Sequence, residues 1–164
     1  ALAGSAHAQS GTITFIGQVV EPTCVIQPQV EGNPADADFN VYLPEVPRQQ
    51  LATAGARGPS ASFALVVGSR EYPCGQPQVR GRFTTLGDTT VAGHLGNRGS
   101  AGNLDVVVMD AQGVDVDLSN PQASQQVAVE DGIGRLRWQA AYVANAPVSA
   151  GNVMAQVQYL VDYP

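Results

Sequence analysis

The 164 residues carry eight basic groups against 14 acidic ones, a net charge of −6, and every basic residue is Arg. That balance argues against nucleic acid and anionic membrane surfaces as partners, since both are held by clustered Lys and Arg. With 18 Gly and 11 Pro the chain is punctuated too often for long helices, while 44% apolar and 13% charged residues are too rich a mixture for a disordered polymer.

The length suits one domain with a proper core. No stretch approaches the roughly 18 consecutive apolar residues that a membrane-spanning helix requires. Residues 1–8 read as the tail of a secretory signal or a flexible terminus, and Ala6-His7-Ala8 has the small-x-small pattern of a cleavage site that would leave Gln9 as the mature start. Residues 11–20, Gly-Thr-Ile-Thr-Phe-Ile-Gly-Gln-Val-Val, are rich in β-branched and aromatic side chains and read as a long strand. Gly11, Ile13, Phe15, Gly17 and Val19 would share one face, because side chains alternate along a strand.

Cys24 and Cys74 are the two cysteines, fifty positions apart. In an exported chain a structural disulfide is the simplest reading. The competing reading is a reactive thiol, but neither cysteine sits in a CxxC and no His stands beside either. Two cysteines and the scattered His7 and His94 also make a poor zinc set, which needs closely spaced ligand pairs.

From Phe39 onward the chain alternates with period two. Phe39, Val41 and Leu43 form one such segment, Phe63, Leu65 and Val67 another, and Val79, Gly81, Phe83 and Thr85 a third that opposes Arg80 and Arg82. Residues 48–54 are the one helical candidate. Residues 104–109 are continuously apolar apart from Asp105, as in a strand covered on both faces. Val114, Val116 and Leu118 alternate with Asp115 and Asp117, and Leu136, Trp138, Ala140 and Tyr142 alternate with Arg135, Arg137 and Gln139. Short alternating strands parted by Gly, Pro, Asn and Asp predict an all-β sandwich. The clearest strand is the last, where Val153, Ala155, Val157, Tyr159, Val161 and Tyr163 line one face before Pro164. No strand follows to close the sandwich beside it, so an apolar groove is expected there, filled from outside.

The run from Gly11 to Cys24, the segment Val41-Tyr-Leu-Pro-Glu-Val46, the stretch from Phe63 to Cys74 and the ending from Ala150 to Tyr163 together resemble the structural pilins of the chaperone–usher pathway, of which type 1 and P pili are the best known. The resemblance covers residues 9–164, and the loop between the cysteines is longer than in the type 1 shaft pilin. It implies an incomplete immunoglobulin-like β-sandwich lacking the G strand, divided into an N-terminal remnant (1–8), a donor-strand extension (9–18) and a pilin domain (19–164). It implies, further, a structural subunit that polymerises head to tail by donor-strand exchange, with Ile13 and Phe15 entering pockets of a neighbour's groove and Gly11 passing where the groove is shallow. The implied partners are copies of the chain, a periplasmic chaperone, an outer-membrane usher, and tip adhesin or adaptor subunits, on a route through the periplasm to the cell surface. In such pilins the chaperone zips along the last strand, here Val157, Tyr159, Val161, Tyr163 and Pro164, and anchors the C-terminal carboxylate.

The rival readings are a minor adaptor pilin and a self-contained secreted β-sandwich that binds a ligand. An enzyme has little support, since there is no Gly-x-Ser-x-Gly elbow and the glycine-rich residues 96–102 lack the Lys-Ser/Thr of a phosphate loop. Asp105, Asp110, Asp115 and Asp117 do not have calcium-loop spacing and read as a solvated acidic face. Trp138 reads as core and His94, in a glycine-rich turn, as exposed. No cofactor, metal or catalytic residue is expected.

Overall fold

The computed structural model describes residues 10–18, 24–85 and 88–164, so the expected signal remnant at 1–8, Gln9 and Val19 lie outside the described residues. Among the described residues, β1 (Ile26–Val30), β2 (Asn33–Pro34), β3 (Ala61–Val67), β4 (Gln78–Thr85), β5 (Leu95–Gly96), β6 (Leu104–Asp110), β7 (Ser124–Ala128), β8 (Gly134–Ala144) and β9 (Val157–Asp162) form two antiparallel sheets. One runs β2-β1-β3-β8-β6-β5 and the other β7-β4-β9.

The alternation expected in β3, β4 and β8 is what joins the sheets. Phe63, Leu65 and Val67 face Val79 and Phe83 of the second sheet together with Leu136 and Trp138, all buried in one cluster. Trp138 is 2% exposed, its ring 5.8 Å from that of Phe63 and 4.8 Å from that of Phe83. Gly81 is a requirement of this packing: a Cβ there would stand 2.8 Å from both Leu136 and Trp138 side-chain carbons. β6 is covered on both faces, as its apolar run predicts. Val106 and Val108 join the central core, whereas Val107 and Met109 pack with Ala141 and Val143 on the other side. Over that second face Arg57 pairs with Asp115, both its terminal nitrogens donating to the carboxylate at 2.7 Å.

Cys24 and Cys74 form the expected disulfide. It ties the start of the domain to the β3–β4 connection beside Gly68, whose N–H donates to the Val25 carbonyl at 2.7 Å.

Several expectations are corrected. The helical candidate at 48–54 shortens to a 3₁₀ turn, Arg48–Leu51, because the chain enters a new turn at Thr53, whose carbonyl accepts from the Ala56 N–H. Val114 to Leu118 form no strand. The Asp110 carboxylate takes the N–H groups of Gln112 and Val114 and Asp117 takes that of Ser119, leaving only an isolated bridge between Met109 and Asp115. His94 is not exposed: its side chain is 12% accessible, with Nε2 3.7 Å from the Asp115 carboxylate. Asp105, expected on a solvated face, is buried and accepts a 2.7 Å hydrogen bond from Asn145. Residues 11–18, expected as a strand, join no ladder and each is exposed.

Candidate assembly groove

Along the last strand the inward face is only partly covered. Along β9 and the residues before it, Val153, Ala155, Val157, Tyr159, Val161 and Tyr163 all point to the core cluster, yet each remains half-buried while Gln156, Gln158 and Leu160 between them are exposed. The equivalent inward residues of β3 and β8 are fully buried. The difference comes from neighbours. β9 pairs with β4 on one edge, and among the described residues no strand pairs with the other.

Facing that edge runs a second incomplete segment. Phe39, Val41 and Leu43 are half-buried against the same core while Asn40, Tyr42 and Pro44 are exposed, so the expected alternation is real, but among the described residues the segment belongs to no ladder. The two runs meet at Phe39 and Tyr159, whose ring centroids are 5.9 Å apart, and no backbone hydrogen bond joins them among the described residues. Further along, Leu43 and Val46 approach Val153 around a second cluster built on Leu51, Leu104 and Tyr142. A cavity of about 270 Å³ opens there between Val46 and Val153, floored by Leu104 and Val148.

Charge holds the inner edge of β9. Arg80 of β4 donates from Nε and Nη2 to the two carboxylate oxygens of Asp162 at 2.9 and 2.7 Å, and Arg82 adds a third contact at 3.3 Å. The Arg80 hydrogen bonds, with the charges of both arginines, hold Asp162 below the usual carboxylate range. Tyr159 is pushed above the ordinary phenol value, first by burial and then by the charge of Asp38.

An edge strand with unpaired backbone groups and half-buried knobs is a template for another extended chain. Of the expected chaperone-contact residues, Val157, Tyr159, Val161 and Tyr163 lie along this edge and Pro164 is exposed beyond it. Of the expected donor residues, Gly11, Ile13, Phe15 and Gly17 are exposed, with Ile13 at 79% and Phe15 at 91%. Sequence reading did not single out Phe39, Val41 and Leu43 as the facing wall. Their alternation was visible, but not the absence of a partner. No ligand-holding cluster of three or more His, Cys, Asp or Glu occurs among the described residues.

No protein-family model matches the chain. It is 33% identical over 175 residues to the major fimbrial subunit SMF-1 of Stenotrophomonas maltophilia, covering 97% of this chain and 95% of that one. It is 30% identical over 165 residues to the F17 fimbrial protein of Escherichia coli, covering 95% and 88%. Among solved structures the fold matches a chaperone–usher pilus subunit (TM-score 0.66, 18% identity, 96% of this chain and 97% of that one). It also matches the P pilus rod subunit PapA (TM-score 0.60, 20% identity, 93% and 100%). The immunoglobulin-like sandwich, the single disulfide and the similarity over nearly the full length agree: the chain belongs to the structural, non-enzymatic subunits of chaperone–usher fimbriae, which polymerise into extracellular fibres at the cell surface.

Proposed function

We propose that the subunits link by donor-strand exchange, residues 9–18 of one chain entering the groove between β9 and Phe39–Val41–Leu43 of the next as the missing G strand. The observation that carries this reading is a pair of complementary deficits in one chain: six inward residues in and flanking β9, from Val153 to Tyr163, that stay half-buried, and an extension whose described residues, 10–18, are exposed. Burying Ile13 and Phe15 in a neighbour would contribute about 1.5–3 kcal/mol each, in addition to the new backbone ladder. Gly11 and Gly17 bring no side chain to their positions. The contact is heterologous, so it does not close on itself and generates a fibre.

Before assembly the same edge needs cover. A periplasmic chaperone would supply it along Val157, Tyr159, Val161, Tyr163 and Pro164, and an outer-membrane usher would exchange that cover for the extension of the incoming subunit. Tip adhesin or adaptor subunits would complete the fibre.

Polarity at the knobs tests the reading. Phe15→Asp and Ile13→Asp should abolish fibres seen by electron microscopy and the SDS-resistant ladder on gels, while the variant subunit still accepts a wild-type extension at its own groove. Unaltered fibres from the double variant would sink it.

A further inference from the structure

We propose that Asn97 is a positioning residue for assembly: its side chain stands in for β4 along residues 152–154 and so turns the backbone of Val153 and Ala155 toward the incoming strand. The inference rests on donor-strand exchange as the mode of linkage. β4 leaves the last strand at Thr85, opposite Val157, yet the half-buried inward residues begin earlier, at Val153. That stretch of the edge is held by another part of the chain.

The loop after β5 takes over. Gly96 donates its N–H to the Asp88 carbonyl at 2.6 Å, which brings the loop to the end of β4. Asn97 Oδ1 then accepts from the N–H groups of Gly99 and Met154 at 2.8 and 2.9 Å, while Nδ2 donates to the carbonyls of Ala101 and Asn152 at 2.9 and 3.4 Å. The Arg98 N–H donates to the Met154 carbonyl at 2.8 Å, the Ala101 N–H to the Asn152 carbonyl at 3.0 Å, and the Ser100 hydroxyl accepts from the Asn152 N–H at 2.9 Å. An ion pair between Arg98 and Asp88 anchors the loop. A Cβ at Gly99 would strike the Asn152 carbonyl oxygen, so glycine is what lets the two backbones approach.

The direction of the free groups follows from alternation. In an extended chain, successive residues send their N–H and C=O to opposite edges. Asn152 and Met154 commit theirs to the loop, so Val153 and Ala155 present theirs to the groove, and neither residue's backbone groups have a partner among the described residues. The side chains of the same two residues pack on the core. Each therefore offers an incoming strand an inward knob and a donor–acceptor pair together, and the edge open to pairing begins at Val153 instead of Val157. Unpaired backbone along an apolar strand is what a strand-adding partner recognises, here residues 9–18 of a second copy. The cavity of about 270 Å³ beside Val153 leaves this end of the edge open. Without Asn97 the Met154 N–H loses its acceptor, and the strand is free to turn away from the groove.

The test is quenched hydrogen exchange on fibres of the full chain, read residue by residue by NMR. In wild-type fibres the amides of Val153 and Ala155 should be protected together with those of Val157, Tyr159 and Val161. In Asn97→Ala fibres Val153 and Ala155 should exchange about tenfold faster while Val157 to Val161 stay protected, and the fibres should come apart in warm SDS about tenfold faster. Ser100→Ala, which removes only the acceptor for the Asn152 N–H, should speed exchange at Val153 alone and decides the matter if Asn97→Ala does not fold. Asn120→Ala, at a turn away from the groove, should change none of these amides. Unchanged protection at Val153 in both loop variants, protection in wild-type fibres confined to Val157–Val161, or loss along the whole edge in Asn97→Ala would each overturn the role of Asn97. Wild-type fibres with no protection anywhere from Val153 to Val161 would count instead against donor-strand exchange itself.

Discussion

The hydroxyl of Tyr159 donates a 2.6 Å hydrogen bond to the carbonyl oxygen of Ala37, joining the last strand to a segment 122 positions earlier in the chain. With the Phe39 ring lying 5.9 Å from that of Tyr159, it forms the floor of the groove where the two incomplete walls meet. Tyr159→Phe keeps the ring and removes the bond, so it should cost about 1 kcal/mol in urea unfolding of the subunit. Tyr159→Ala also removes core packing and should cost more; equal losses in the two variants would show that the hydroxyl, not the ring, carries the contact.

The phenols set an alkaline limit on stability. Tyr159 and Tyr142 are both held above the ordinary value, chiefly by burial and secondarily by Asp38 and Glu45 respectively. Their contribution is full below the unfolded value of about 10 and is lost as pH rises from there through the folded values. On the acid side the signs reverse. Asp162, held down by Arg80 and then Arg82, and Asp115, held down chiefly by Arg57, contribute above about pH 4 and cease to do so as pH falls through their lowered values. Thermal unfolding against pH should therefore show losses at both ends. Tyr142→Phe/Tyr159→Phe should flatten the alkaline limb, and Asp162→Asn the acid one.

The disulfide closes a loop of fifty residues. In the chain-entropy model such a loop stabilises the fold by about 4 kcal/mol. Denaturant unfolding of the Cys24→Ser/Cys74→Ser variant should show a loss of that order, and reductant should destabilise the wild type but leave the variant unmoved.

Much of the fold could be read from period-two alternation wherever the strand itself carried the pattern. β3, β4, β8 and β9 announce their inward faces through Phe63, Phe83, Trp138 and Tyr159, and β6 announces burial on both sides by lacking a polar face. β1 and β7 were not legible. Pro28 interrupts Ile-Gln-Pro-Gln-Val, and Ser-Gln-Gln-Val-Ala is too polar to read as a strand. β7 forms because its register with β4 and the Gln125 bridge to β8 satisfy it from outside. The opposite error arose at Val114 to Leu118, where faultless alternation lost to aspartates that bond the local backbone. Alternation reports a face, and the ladder depends on what lies alongside. That is also why Phe39, Val41 and Leu43 look like a strand and pair with none among the described residues.

Under donor-strand exchange the groove is a deficit met by the extension of another chain. The most direct measurement compares the intact protein with one lacking residues 1–18, by size and unfolding, with and without a peptide spanning residues 9–18. Donor-strand exchange predicts SDS-resistant multimers from the intact protein, and a truncated subunit that aggregates or stays chaperone-bound until the peptide restores a stable monomer. A truncated subunit that is soluble, monomeric and equally stable without the peptide would contradict it, because the sandwich would then be complete in itself.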